Sequence, residues 1–170
     1  MLMRTFLAII ALAATITFMP AADPAALHEN DIAFAKKAAV GGLLEVRSSE
    51  AALKRTTLTA EEQAFARQLI ADHGKANDEL AAIAKRKGIA VPTELGSEEQ
   101  EKLAKAAEIK DKDFNEEYLE HQISCHKKTI DLFEDQAEDG KDSDLKAFAS
   151  KHLPTLKAHL ETAKRLEAKY

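Results

Sequence analysis

Hydrophobic and polar residues alternate with a helical period along most of the chain, in four long blocks and one short block. Apolar side chains recur every three or four positions, and this spacing gathers them on one face of an α-helix. The pattern predicts helices over residues 31–55, 60–87, 97–109, 113–139 and 143–170. The chain is therefore predicted to be all-α.

Residues near the predicted helix ends carry capping signals. Thr59 precedes Glu62 by three positions, which is a capping-box pattern. Ser97 and Gln100 mark the start of the short helix. The predicted helix stops are Gly88 and Gly140. Pro154 lies inside the last predicted helix and predicts a kink there, because proline cannot donate a backbone hydrogen bond.

The lengths of the connections predict how the helices are arranged. Short breaks join the first long helix to the second and the third to the fourth, so each pair is expected to form an antiparallel hairpin. The connection between the second and third long helices is long and contains the short helix. One long crossover is typical of ferritin-like folds. The sequence therefore predicts a ferritin-like four-helix bundle with a helix-containing crossover.

The N-terminus has the pattern of an export signal. Arg4 precedes an uninterrupted apolar run at residues 6–18, and small residues with Pro20 follow it. The run is too short to span a bilayer comfortably. We therefore expect a cleavable signal peptide over residues 1–22 and a bundle domain over residues 23–170. The mature protein is expected to be periplasmic or secreted, with no stable membrane insertion.

Each long helix carries a polar residue in the middle of its apolar face. On helical wheels these residues are Glu45, His73, His126 and His159. A rise of about 1.5 Å per residue places all four near the middle of the predicted bundle. A buried, unpaired carboxylate or imidazole is costly, so the four groups are expected to share partners.

A metal ion is one partner that would satisfy these groups together. Three imidazoles and one carboxylate suit a divalent transition metal, namely Zn, Cu, Fe or Ni, better than Mg or Ca. Asn77 and Gln122 lie one turn from two of the histidines and are expected to hydrogen-bond the ligands. His152 also lies on an apolar face and is an alternate ligand or a residue that orients His159.

Two other interpretations of the same residues stay open. The polar groups could form a hydrogen-bonded network that fixes helix register in a non-enzymatic structural or interaction protein of the cell envelope. They could also bind an organic ligand or respond to protonation. His121 points away from the apolar face and is expected at the surface, and Cys125 is expected to fill the edge of the core.

Composition and motifs exclude several functions. The net charge is −5 with acids and bases interspersed, which argues against nucleic-acid binding. One cysteine cannot form an internal disulfide or a cysteine-rich metal site. The sequence contains no P-loop, nucleophile elbow or zinc-protease motif, so no catalytic residue is assigned and an enzyme is not favoured. No particular protein partner is indicated.

The ligand motif of di-iron ferritins is absent. Those proteins use Glu-x-x-His on two of their helices. Here the residues three positions before His73, His126 and His159 are apolar. We therefore expect a mononuclear metal site or no metal site.

Four segments carry a resemblance to a known family. They are residues 42–46, 72–77, 114–126 and 153–159. The chain resembles bacterial exported proteins of unknown function that are described as ferritin-like and often labelled outer-membrane proteins. The resemblance extends over about residues 30–166 of the sequence. It implies a ferritin-like bundle and an envelope location, and it implies no established activity.

Overall fold

Five helices make up most of the computed structural model, which describes residues 27–170. They are α1 (Glu29–Ala52), α2 (Ala60–Lys87), α3 (Ser97–Ala107), α4 (Asp111–Asp139) and α5 (Ser143–Glu167). Residues 27–170 contain no β-strand, so the all-α prediction is confirmed over this range. None of these helices is long and apolar enough to cross a membrane. The predicted signal peptide lies outside the described residues.

The helix ends follow the sequence signals in part. Thr59 and Glu62 form the predicted capping box, and Gly88 ends α2 with a φ of 70°, a conformation that favours glycine. Helix α3 begins at Ser97, as the sequence predicts, with Gly96 as its N-cap, and the Gln100 amide donates to the Leu95 carbonyl. Helix α5 is continuous through its internal proline.

The buried apolar residues form two clusters, and the halves of the helices found in each cluster show which way each long helix runs. Cluster A combines the first half of α1 and α5 with the second half of α2 and α4; its large members include Phe34, Leu80, Phe133 and Phe148. Cluster B combines the opposite halves; its large members include Phe65, Leu69, Leu119 and Leu166. Helices α1 and α5 therefore run in one direction and α2 and α4 in the other. The connection containing α3 passes from one end of the molecule to the other.

A buried carboxylate joins the helices at the cluster A end. Asp31, in the first turn of α1, is only 1% exposed. It accepts hydrogen bonds from the Gln136 amide at 2.7 Å and from the backbone N–H groups of Lys141 and Asp142, each at 3.1 Å. The start of α1 is thereby fixed to the turn between α4 and α5.

A second buried carboxylate has the same role at the cluster B end. Glu62, also 1% exposed, accepts from the Asn115 amide at 3.0 Å and from the Tyr170 hydroxyl at 2.6 Å. The Asn115 amide also donates to the Thr57 carbonyl. The beginnings of α2 and α4 are therefore tied to each other and to the residues after α5.

Arg55 fixes the end of the long connection against α1. Arg55 donates to the Ala107 carbonyl at 2.6 Å and to the Asp111 carboxylate at 2.8 Å. Its guanidinium also lies 4.5 Å from the centre of the Phe114 ring. These contacts position α3 beside α1 and α4, and a groove remains between the three helices.

Replacing Asp31 should destabilise the protein strongly. Asp31→Ala leaves the buried amide of Gln136 and two backbone N–H groups without an acceptor, so we expect a loss of about 3 kcal/mol in the free energy of unfolding. Urea denaturation measures the change. Glu29→Ala, at an exposed acid in the same helical turn, is the matched control. Equal effects of the two substitutions would contradict the role given to Asp31.

Candidate metal centre

Three buried histidines converge between clusters A and B. His73 on α2, His126 on α4 and His159 on α5 are 7%, 1% and 1% exposed. One ring nitrogen from each can be chosen so that all three atoms lie within 4.8 Å of one another. The Nε2 atoms of His73 and His126 are 3.4 Å apart. We call these three residues the histidine triad.

The amphipathic pattern of the helices explains why these side chains are buried. His73 lies on the apolar face of α2, between Leu69 of cluster B and Leu80 of cluster A. The other two histidines occupy equivalent places on α4 and α5. A helical residue on the apolar face has to point inward, whatever its own polarity. The triad therefore forms a polar layer that separates the two apolar clusters.

Hydrogen bonds fix which ring nitrogens of the triad remain free. His126 Nδ1 lies 2.9 Å from the Gln122 carbonyl oxygen, which can only accept, so Nδ1 carries the proton and Nε2 keeps its lone pair. His159 Nε2 lies 3.1 Å from a carboxylate oxygen of Asp72, whereas its buried Nδ1 has no partner. Histidine ligands of metals are commonly held by a carbonyl or carboxylate in this way.

Burial keeps the triad uncharged. Desolvation lowers the pKa of His73 to about 3 and that of His126 to about 4, and the neighbouring imidazoles contribute to the shift of His73. Burial also lowers the pKa of His159, although the Asp72 carboxylate opposes the shift. All three rings are neutral at pH 7, which is the state that binds a metal ion.

The spacing of one pair of nitrogens in the triad matches that of two ligands on a small metal ion. Imidazole nitrogens bind such ions at about 2.0–2.1 Å, which brings two ligand nitrogens to about 3.3–3.6 Å of each other. The separation of 3.4 Å between His73 Nε2 and His126 Nε2 falls in this range. An all-imidazole set suits Zn, Cu, Fe or Ni.

Glu45, the fourth residue expected at this centre, is buried but does not join the triad. Its side chain is 4% exposed and lies beside the side chains of Gln122 and Cys125. Its Oε2 atom has no hydrogen-bond partner. Burial raises the pKa of Glu45 to about 8. The carboxyl group is therefore mostly protonated at pH 7, which does not favour a role as an anionic ligand.

The side chains that were expected to support or replace the ligands make other contacts. Gln122 contributes its backbone carbonyl to His126, while its side-chain amide reaches the Ser48 hydroxyl at 3.5 Å. His152 pairs with the Glu79 carboxylate at 3.1 Å. Asn77 packs over the backbone of α1, where a Cβ atom added at Gly42 would lie 2.0 Å from the Asn77 Oδ1 atom.

Helical periodicity did not single out Asp72 as a site residue. Asp72 is partly exposed and reaches His159 from the rim of the bundle. One sequence feature could have identified Asp72: it directly precedes a core histidine, on the side of α2 that faces α5. A cavity of about 30 Å³, lined partly by Asp72, His73 and His159, adjoins the triad. It is large enough to hold one water molecule.

The chain is an all-α protein with a buried histidine cluster, and its sequence matches a family profile. Residues 17–166 match the profile of the family described as Domain of unknown function (DUF4142). The chain belongs to this family. No curated protein matches the sequence.

Two solved structures share the fold at low sequence identity. A DUF305 fragment from Deinococcus radiodurans superposes with a TM-score of 0.74 and 10% identity, covering 85% of this chain and 99% of that one. CopM in a Cu(I)-bound form superposes with a TM-score of 0.69 and 13% identity, covering 82% of this chain and 96% of that one. At these identities the similarity concerns the fold alone.

The buried histidines should make the metal-free protein sensitive to acid. Their pKa values lie below the ordinary value of 6.5, so the unfolded chain binds more protons and stability falls as the pH drops from about 6.5 towards 4. We expect the stability difference between the wild type and a His73→Leu/His126→Leu variant to change by at least about 2 kcal/mol between pH 7 and pH 5. Urea denaturation at the two pH values measures it. Parallel pH dependences of the two proteins would contradict the assignment of neutral, buried imidazoles.

Glu45 should have the opposite effect at alkaline pH. Its pKa is raised in the folded state, so its contribution to stability is complete below the ordinary value of 4.5 and is lost as the pH rises through about 8. Glu45→Gln stays neutral at every pH. Relative to the wild type, we expect this variant to gain more than about 1.4 kcal/mol of stability between pH 5 and pH 9, the equivalent of one pKa unit. A constant difference in urea midpoints between the variant and the wild type from pH 5 to pH 9 would refute the raised pKa of Glu45.

Proposed function

We propose that this protein binds one transition-metal ion at His73, His126 and His159 and serves in metal handling or stress protection in the cell envelope. The observation that carries the proposal is the convergence of three buried, neutral imidazoles, each from a different helix. In two of them, His126 and His159, one ring nitrogen donates to a carbonyl or carboxylate, so the other nitrogen keeps its lone pair for a metal ion. Such an arrangement is preorganised for a metal ion.

We propose monovalent copper as the preferred ion. The three ligands are neutral, and the nearest charge bonded to them is the single carboxylate of Asp72. The cost of burying an ion rises steeply with its charge, so one carboxylate compensates a monovalent ion better than a divalent one. The fold similarity to CopM, whose structure was determined in a Cu(I)-bound form, makes copper the first metal to test.

We propose further that the four long helices form a ferritin-like bundle. Support comes from the order of their directions, in which α1 and α5 oppose α2 and α4, and from the long connection between α2 and α4. One such crossover is a feature of ferritin-like folds. Export to the periplasm or the medium is proposed from the signal-like pattern in residues 1–22.

The alternative function is a structural or interaction protein whose histidines only fix the register of the helices. The observation that favours it is the close approach of His73 Nε2 to His126 Nε2, since one ring could donate to the other. In that case an apolar replacement of the histidines should preserve or raise stability, because a buried polar network is often no more stable than an apolar core.

Metal binding can be tested on the tag-free protein. We expect one tightly bound Cu(I) per chain in anaerobic titrations against a chromophoric chelator, and an affinity of this site lower by at least about 100-fold in His126→Leu. Asp72→Asn keeps all three ligands but weakens the hydrogen bond that orients His159, so the Cu(I) affinity of this variant should fall by about 10-fold. Circular dichroism confirms that each variant is folded.

The matched control is His152→Ala. His152 lies on α5, as His159 does, but pairs with Glu79, so its removal should leave the affinity unchanged. Absence of bound Cu(I), Zn(II), Ni(II) or Fe(II) in the wild type, together with unchanged or raised stability of His126→Leu, would reject the metal site in favour of the structural alternative.

A further inference from the structure

A second group of metal-binding side chains lies outside the triad, in the groove between α1, α3 and α4. The groove has a volume of about 960 Å³. Its lining includes the half-buried side chains of His121 and Cys125 from α4 and the buried carboxyl group of Glu45 from α1. The sequence predicted His121 at the surface and Cys125 at the edge of the core. In the structure both face the same groove.

The thiol and the imidazole are already at chelating distance. His121 and Cys125 are four residues apart on α4 and therefore lie on the same face of the helix. Cys125 Sγ is 3.4 Å from His121 Nε2. A metal ion bound by sulfur at about 2.3 Å and by nitrogen at about 2.0 Å brings these two atoms to about 3.5 Å of each other.

Glu45 supplies an independent sign of a ligand in this groove. Its side chain is 4% exposed, and its Oε2 atom has no hydrogen-bond partner in the protein. The same residue lines both the groove and the 30 Å³ cavity beside His73 and His159. Glu45 thus lies between the solvent-accessible pair and the buried triad.

We propose that Cys125 and His121, beside the buried carboxyl group of Glu45, form a loading site that captures Cu(I) in the groove and passes it to the triad. This inference rests on the proposed function for the transfer step, whereas the capture site stands on its own geometry. On capture, Cu(I) forms bonds to the Cys125 sulfur and the His121 nitrogen, and the thiol proton goes to solvent. On transfer, the sulfur regains a proton and the oxidation state of copper is unchanged.

The charge of the groove favours a monovalent, thiol-binding ion. Lys102 and Lys128 line the same groove. Burial lowers the pKa of His121, and the positive charges of Lys128 and Lys102 lower it further. Their repulsion of a bound cation increases with the charge of the ion. Sulfur is a soft ligand that selects Cu(I) over Mg, Ca and Mn. The groove is therefore better suited to Cu(I) than to a hard divalent cation.

The capture site is tested by alkylation of Cys125 under anaerobic conditions. Excess Cu(I) should slow the reaction of Cys125 with iodoacetamide at least about tenfold in the wild type, and His121→Asn should lose most of this protection. The His73→Leu/His126→Leu variant should keep the protection, because the capture site does not need the triad. Ser124→Ala, an exposed neighbour in the same groove, is the matched control. Equal protection in His121→Asn and the wild type would overturn the site.

The transfer step is tested by stopped-flow loading from a Cu(I)–bicinchoninate complex. Cys125→Ala should load the triad about tenfold more slowly, with one Cu(I) per chain still bound at the triad at equilibrium, and Ser124→Ala should load at the wild-type rate. Unchanged rates with a normally filled triad would overturn the route and leave the proposed function standing. Protection of Cys125 in a wild-type protein whose triad takes no copper would reject the proposed function and support the capture site.

Discussion

The burial of a polar layer at the middle of the helices is the constraint on which the rest of the structure depends. Imidazoles and a carboxyl group lose their hydration there, and this loss has to be offset by apolar packing elsewhere. Clusters A and B provide that packing on either side. The layer remains ordered because its groups are bonded to fixed partners, such as the Gln122 carbonyl and the Asp72 carboxylate.

The two buried carboxylates at the ends of the molecule help to set the geometry of this layer. Asp31 and Glu62 each connect a helix beginning to backbone or side-chain donors far away in the sequence. A helix whose end is fixed cannot slide or rotate freely relative to its neighbours. Since one residue of helix shift corresponds to about 1.5 Å, these bonds keep the three imidazoles within reach of one another.

Helical periodicity was sufficient to predict the all-α class and the burial of Glu45 and the three histidines, because burial depends mainly on which face a residue occupies. It could not separate Glu45 from the triad, since a wheel does not give the tilt and offset of neighbouring helices. The long-range bonds of Asp31 and Glu62 were missed for another reason. An acidic residue in the first turn of a helix is usually explained by the helix dipole or by a capping box, so its position gives no sign of a distant partner.

The division of the core into clusters A and B determines which part of the protein its intrinsic fluorescence reports on. The chain contains no tryptophan and two tyrosines. Tyr118 belongs to cluster B, and the Tyr170 hydroxyl bonds to Glu62 at that same end. Ultraviolet fluorescence therefore observes one half of the protein, whereas the half around cluster A, rich in phenylalanine, is nearly silent. Comparing fluorescence with circular dichroism would reveal whether the two halves unfold together across the polar layer.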